Sequence, residues 1–514
     1  MKLPWLVALT AAALSGQTFS GAAAVDQAIN QAIRENRLPG AVLAVGHDGK
    51  LVYLQAYGQR AVYPHAEPMT ADTIFDCASL TKVLATTASL MQLFEQGKFR
   101  LNDKVTDYFP EFQGGKSDIT LRNLFTHFSG LRPDLPLAPA WTGYQTGIHM
   151  AMIDKPAGPP GVRFVYSDIN FIVLGDLVRR LSGQRLDEYA RQHVFLPLGL
   201  KDTQFLPPAS LIPRIAPTER VPQDGPALRG VVHDPTARAM GGVAGHAGVF
   251  STASDLARFA QMMIDGGTLD GVRIAGPLTV AKFTEPQTPP DQPILRGLGW
   301  DIDSPYSSNR GELFPIGSFG HTGFTGTSIW IDPSTRTYVI LLANSVHPAP
   351  RALSVVALRS KVATIVAASL GIAAPRVTLT GYNETLAGPG IRREAARNGH
   401  TLTGLDVLAQ EKFRPLAGKR VGLITNQTGV DRAGRRNVDL MRQAAIDVVA
   451  LFSPEHGFAG LKDRPGIADS KDPATGIAIY SLYGSTMRPT PEMLRGIDAL
   501  VFDIQSAGVR CYTY

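Results

Sequence analysis

The sequence predicts an α+β protein in two parts. An antiparallel sheet flanked by helices and joined to a helical lobe is followed by an incomplete parallel α/β domain of Rossmann-like pattern. Three observations predict this. Hairpin-like strand pairs stand at both ends of the region up to Leu370: residues 41–46 with 51–57 around Asp48-Gly49, and 327–331 with 337–343 around Asp332-Pro333-Ser334. A long section rich in helices and loops separates the two pairs. After Gly404 the pattern changes to alternating strands and helices.

Residues 25–36 carry the spacing of a short amphipathic helix, ahead of the first hairpin. A second helix starts at Phe75-Asp76-Cys77-Ala78-Ser79-Leu80-Thr81-Lys82. Its apolar face runs through Leu80, Val83, Leu84, Met91 and Phe94 and stops near Gly97. Residues 318–326 are glycine-rich, and 351–370 are apolar at helical spacing with no breaker before Gly371. Strands from both ends can complete one sheet, with the first and last helices on one face and the middle section on the other, leaving a cleft between sheet and lobe. Residues 25–372 therefore read as one domain. Residues 373–402, broken by Pro375, Gly381, Gly388, Pro389 and Gly390, read as a linker. In 403–514 the pattern gives strands at 420–425, 447–452, 477–483 and 499–503, with helices at 435–445 and 491–495.

At 514 residues the chain is too long for one ordinary core, and 44% hydrophobic with 18% charged residues is globular rather than disordered. A net charge of +6 with no basic run argues against a nucleic-acid partner. Lys2, the apolar run 3–14 and Ala22-Ala23-Ala24 form an export signal over residues 1–24. The apolar run is too short to span a bilayer, so cleavage near Ala24 should give a secreted or periplasmic protein without a membrane span. Cys77 and Cys511 read as lone buried thiols. Nothing matches H-E-x-x-H or a Cys/His cluster, so neither a metal nor a cofactor is expected. The oligomeric state is not legible.

Ser79 and Lys82, three apart, project from one side of a helix. Ser79 at the helix N-terminus would have free backbone N–H groups beside it, which favour developing negative charge. Lys82 could take the hydroxyl proton if burial and neighbours keep its amine neutral. Alone, the same pair is equally a helix cap and a solvated lysine; the surrounding stretches decide. These are Leu124-Phe125-Thr126-His127-Phe128-Ser129-Gly130-Leu131, Phe164-Val165-Tyr166-Ser167-Asp168-Ile169-Asn170-Phe171, Met240 through Thr252, and Phe319-Gly320-His321-Thr322-Gly323-Phe324. In this order they resemble the serine β-lactamase and penicillin-binding-protein superfamily, nearest its class C-like esterase, D-aminopeptidase and D-alanyl carboxypeptidase branch. The resemblance implies a β-lactamase-like serine hydrolase fold, with Ser79 as nucleophile, Lys82 as its base and Tyr166 as proton shuttle to the leaving group. It places His321-Thr322-Gly323 on the inner edge strand and the N–H groups of Ser79 and Phe324 in an oxyanion hole. Tyr166 packed with a satisfied hydroxyl, and His321 as a structural strand residue, remain the plain alternatives. Two departures stand out. Asp168 occupies the place of a substrate-facing asparagine, and His321 that of a lysine. A histidine is mostly neutral at pH 7, so both changes weaken recognition of an anionic substrate end. His127 and His246 read as loop-holding residues.

From Gly404 onward, Val421 through Gly429, Phe452-Ser453-Pro454-Glu455-His456-Gly457, Tyr480-Ser481-Leu482-Tyr483-Gly484 and Phe502-Asp503-Ile504-Gln505 resemble the N-terminal part of the exo-β-N-acetylmuramidases. Asn426, Glu455, His456, Asp503 and Gln505 all follow predicted strands, where parallel sheets bind ligands. Glu455 and Asp503 could act as paired acid and base, with His456 orienting one of them; strand-end capping is the plain alternative. Ser506 and Cys511 depart from the family pattern, and the family continues beyond Tyr514. This segment reads as truncated and unable to hydrolyse sugar alone.

The leading reading is an exported serine hydrolase acting through an acyl-enzyme on peptidoglycan-derived amides or esters, a weak β-lactamase at most, and linked to murein turnover. The alternatives are a non-catalytic peptidoglycan-binding protein and a general esterase unrelated to the wall.

Overall fold

A computed structural model describes residues 19–222, 224–289, 292–350, 354–370, 402–454, 457–459 and 466–504. The chain divides into two compact units, residues 1–391 and 392–514. Residues 1–18 of the expected export signal, the expected linker apart from Leu402, and Cys511 lie outside the described residues.

The first unit is built on an eight-stranded antiparallel sheet. Its order is Glu67–Pro68, Lys50–Ala61, Gly40–His47, Thr337–Ala343, Ser328–Asp332, Phe319–Thr322, Asp301–Asp303, Leu295–Arg296. The two hairpins predicted from opposite ends of the domain meet in its centre, where Gly40–His47 pairs with Thr337–Ala343 in the register Ala41↔Ala343 to His47↔Thr337. Side chains alternate along these strands and both faces are covered, so every residue of Thr337–Ala343 is buried. Val339 and Leu341 face the helices Ala22–Arg34 and Val356–Ser369, packing with Val25, Ile29, Val362 and Val366. Ile340 and Leu342 face the other way, into a core shared with Leu84, Phe125, Phe171 and Phe259. The first helix begins three residues earlier than the spacing predicts, so Ala22, Ala23 and Ala24 form its first turn.

The helix predicted at Ser79 is not one regular element. Ala78–Leu80 is a single 3₁₀ turn, Lys82–Thr87 has π-helical hydrogen bonding, and only Ala88–Glu95 is α-helical. Wide turns of this kind recur at functional sites. Leu80, Val83, Leu84 and Met91 are buried as predicted.

In the second unit the strand order is Ser470–Lys471, Ala478–Ser481, Asp447–Ser453, Arg420–Thr425, Ala499–Asp503. The last four pair in parallel, while Ser470–Lys471 adds an antiparallel edge that the sequence pattern does not reveal. The helix Asn437–Gln443 packs Val438 and Met441 on Val421, Leu423 and Leu451. The helix expected at 491–495 is instead a run of turns; Pro491 and Gly496 leave too little room for a stable helix. Among the described residues no helix is long and apolar enough to cross a membrane.

Ile340 is fully buried in a central strand. Ile340→Ala should lower the unfolding free energy by about 2–5 kcal/mol, read as a fall in the urea midpoint with an unchanged slope.

Candidate active site

The residues that the sequence places together in the first unit do converge. Ser79, Tyr166, Asp168, His321, Thr322, Gly323 and Phe324 line one cavity of 890 Å³ between the sheet and the helical lobe. A larger open groove of 1170 Å³, between Gln92 and Thr279, contains none of them.

Ser79 is set by the turn before it. Asp76, buried at the end of a short strand, accepts from the Ala78 N–H through one carboxylate oxygen (2.9 Å) and from the His233 N–H through the other (2.7 Å). Ala78 adopts φ +46°, a left-handed conformation that L-residues avoid, and the Asp76 carboxylate holds it there. Burial pushes the Asp76 carboxyl pKa up, against the two N–H donors that lower it. Sequence reasoning missed this role. The available signal was an aspartate two residues ahead of a turn that it can hydrogen-bond.

Lys82 Nζ is fully buried, 3.0 Å from Ser79 Oγ, 3.1 Å from the His246 carbonyl and 2.6 Å from Asp168 Oδ1. Burial alone would favour the uncharged amine, the condition under which Lys82 could act as base, but the Asp168 carboxylate and Tyr166 outweigh it and raise the lysine pKa above its ordinary value. Asp168 borders the cavity and is at the same time engaged by the lysine.

Burial raises the Tyr166 phenol pKa, against the nearby Lys82 cation and Ser79, which act to lower it. The Tyr166 ring stacks on His127 with centroids 4.4 Å apart. His127 Nδ1 accepts from the Ser167 N–H at 3.0 Å, so His127 fixes the Tyr166 segment as the loop-holding reading has it. On the opposite wall, His321 Nδ1 lies 2.8 Å from the Thr322 carbonyl. Only an N–H can bond a carbonyl, so the neutral ring carries its proton on Nδ1 and keeps a lone pair on Nε2. Nε2 is buried and has no hydrogen-bond partner among the described residues. Burial first, then the Arg296 and Lys82 cations, holds the His321 pKa well below its ordinary value. The histidine is not a substitute for a fixed cation.

The Ser79 and Phe324 backbone N–H groups donate to none of the described residues. The turn carrying Phe324 is tied to the serine loop: Thr325 Oγ1 donates to the Asp76 carbonyl (2.8 Å) and Thr327 Oγ1 to the Cys77 carbonyl (3.2 Å). Arg359, buried on the last helix, donates to the Gly323 and Thr327 carbonyls, both at 2.9 Å. Burial without an acidic partner pushes its pKa down to about 10. Gly323 is required here because a Cβ would lie 2.1 Å from Thr327 Oγ1 and 2.6 Å from the Cys77 carbonyl. Thr325, Thr327 and Arg359 were not legible as site residues. A lone arginine on an otherwise apolar helix face was the nearest clue.

Behind Lys82, His246 Nε2 pairs with Asp234 at 2.9 Å. Burial opposes the imidazolium, but Asp234 prevails and raises the histidine pKa. Among the described residues no group of three or more His, Cys, Asp or Glu is placed to hold a metal ion.

In the second unit Asp503 Oδ2 accepts from Asn437 Nδ2 at 2.7 Å, and the same nitrogen donates to Thr425 Oγ1 at 2.7 Å. Burial raises the Asp503 carboxyl pKa. Asn426 Oδ1 closes a local turn, accepting from the N–H and hydroxyl of Thr428. This satisfies that oxygen and favours the capping alternative for Asn426. Asn437 was not anticipated. Glu455, His456 and Gln505 lie outside the described residues.

Residues 25–363 match the beta-lactamase family profile. The chain belongs to the beta-lactamase family. Residues 421–514 match the N-terminal domain of the exo-beta-N-acetylmuramidase NamZ. A relative described as "Putative D-alanyl-D-alanine carboxypeptidase" from Escherichia coli (strain K12) is 31% identical over 348 residues, 60% of this chain and 79% of that protein. The fold is shared with a penicillin-binding protein homolog from Caulobacter crescentus (TM-score 0.54–0.57 spans this and the next case), at 0.57, 21% identity, covering 69% of this chain and 99% of that one. It is shared too with EstCE1, a hydrolase with promiscuous acyltransferase activity (TM-score 0.54, 21% identity, 67% of this chain and 98% of that one). As a member of the beta-lactamase family, the first unit is a serine hydrolase.

The buried neutral His321 gives a stability signature. Its pKa is lowered on folding, so the unfolded chain binds more protons below about pH 6.5 and the folded state loses about 1.4 kcal/mol per pH unit there. His321→Gln removes this cost. Relative to wild type, the variant should gain about 2 kcal/mol on going from pH 7.5 to pH 5, measured by urea unfolding at both values.

Proposed function

We propose that the first unit cleaves amide or ester bonds through an acyl-enzyme on Ser79, with Lys82 and Tyr166 moving the proton and the Ser79 and Phe324 N–H groups receiving the oxyanion. The observation that carries this is that the buried Lys82 amine lies 3.0 Å from Ser79 Oγ at a cavity lined by Ser79, Tyr166 and Phe324, where two backbone N–H groups are left undonated. Tyr166, whose phenol is kept protonated by burial beside Ser79 and Lys82, is suited to hand a proton to the leaving group. The substrates we propose are D-alanyl peptides or related esters from peptidoglycan, met outside the cytoplasmic membrane after export. The curated relative and the muramidase-like second unit, Asp503 included, support a link to murein turnover. The neutral His321 in place of a cation argues against efficient β-lactam turnover.

An ester substrate with an apolar acyl group is favoured by one further feature. Phe324 stands 71% exposed at the cavity, stacked on His233, with Tyr306 on the opposite lip.

A fluorophosphonate probe should label wild-type protein at Ser79 and fail on Ser79→Ala; a binding protein without hydrolase chemistry would not label. Tyr166→Phe should slow turnover of amides by about 10²-fold or more, and of activated p-nitrophenyl esters much less, since only the amide leaving group needs a proton. Comparison of D-alanyl peptides, p-nitrophenyl esters and nitrocefin then ranks the substrate classes, with nitrocefin expected last.

A further inference from the structure

We propose that Lys82 and Asp168 act as one proton-sharing base, in which Asp168 draws a proton from the Lys82 ammonium and so releases the amine that deprotonates Ser79. The inference rests on the hydrolase reading of Ser79 above and adds Asp168 to the reaction as a positioning residue acting through Lys82.

The geometry sets the problem. Ser79 Oγ, Asp168 Oδ1 and the His246 carbonyl surround Lys82 Nζ at 3.0, 2.6 and 3.1 Å. Ser79 Oγ and the His246 carbonyl accept hydrogen bonds from Nζ and Asp168 Oδ1 is its ion-pair partner, surroundings that suit an ammonium, which has no lone pair. Such a group donates to Ser79 Oγ and cannot accept its proton. The geometry also supplies the remedy. Oδ1 of Asp168 has no conventional hydrogen-bond donor among the described residues, and the lysine nitrogen is its close partner. The Lys82 end of the pair is wholly out of water while the Asp168 side chain keeps 21% of its surface, and an ion pair with one end desolvated loses part of its advantage over the neutral amine–acid pair.

The step balances. One Nζ–H bond breaks and one Oδ1–H bond forms, and both charges disappear. The freed nitrogen lone pair takes the Ser79 proton as Oγ bonds the substrate carbonyl carbon, whose π electrons move onto oxygen, facing the Ser79 and Phe324 N–H groups. Lys82 is an ammonium again. When the intermediate collapses, its proton leaves through the Tyr166 hydroxyl to the departing group. Asp168 then returns its own proton to the amine and the pair is restored. The other titratable or charged groups facing the pair are Tyr166, His127, His321, Arg296, Asp134 and the Asp234–His246 pair.

The test is the pH dependence of the second-order rate of fluorophosphonate labelling on the full chain. Wild type should keep labelling below pH 7, with its acid midpoint in the carboxylate range of about 4–5. In Asp168→Asn, Lys82 must lose its proton to solvent. Labelling at pH 6 should therefore fall more than about tenfold while recovering near pH 9, and the midpoint should rise by at least about one pH unit. Asp168→Glu should retain a low midpoint at a reduced rate. A midpoint unmoved in Asp168→Asn, or faster labelling at pH 6, overturns the proposal, since Asp168 would then only shape the site or restrain the lysine. If the variants do not fold, as judged by thermal melting, the wild-type profile decides alone: a midpoint above about pH 8 overturns the proposal and one in the carboxylate range supports it. Labelling that survives Ser79→Ala overturns the hydrolase reading itself, a separate result.

Discussion

The first unit depends on a clamp between its sheet and its helical lobe. The hydroxyls of Thr325 and Thr327 reach across to the carbonyls of Asp76 and Cys77, while Arg359 grips the same turn from behind. Each bond contributes only about 0.5–1.5 kcal/mol to stability. Their larger effect is geometric. They fix the Phe324 N–H relative to the Ser79 N–H, two donors from chain segments some 250 residues apart. Donors fixed in advance need no reorganisation when charge develops on a carbonyl oxygen. The absence of a side chain at Gly323 is what lets the two segments approach closely enough.

Within that frame, buried ionisable groups are sorted by their partners. Lys82 and His246 each have a carboxylate against them and are held charged. His127 and His321 have none, lie near the cations Arg296 and Lys82, and are held neutral. Burial lowers the pKa of all three imidazoles, and the sign of the nearest charge decides whether that lowering is reinforced, as at His127 and His321, or overcome, as at His246.

Much of this was legible in the sequence, for identifiable reasons. The central hairpins follow from strand-like runs and from turn residues such as Asp48-Gly49, and the Asp447–Ser453 strand from a run of apolar residues. Ser79, Tyr166 and His321, singled out by their motifs, line one cavity, and Lys82 reaches Ser79 from behind it. What was illegible depends on tertiary contact. The π-helical stretch at Lys82 looks helical by spacing, yet spacing does not distinguish hydrogen bonds to i−4 from those to i−5. The charge on Lys82 was left open by the sequence because a lysine's protonation state follows from a carboxylate 86 positions away, which periodicity does not report. Asn437, the partner of Asp503, sits at the start of a helix and looks like an ordinary cap.

Cys77, two residues before Ser79, is a free thiol with no accessible surface, and burial pushes its pKa well above the usual range. Thiolate, not thiol, is the reactive species. An electrophile entering the cavity thus meets an oxygen nucleophile while the neighbouring sulfur stays inert. Adduct mass spectrometry on peptides spanning both positions can therefore be read without ambiguity between a thioether and an ester, and cysteines introduced at the rim could carry spectroscopic reporters without competition from this position.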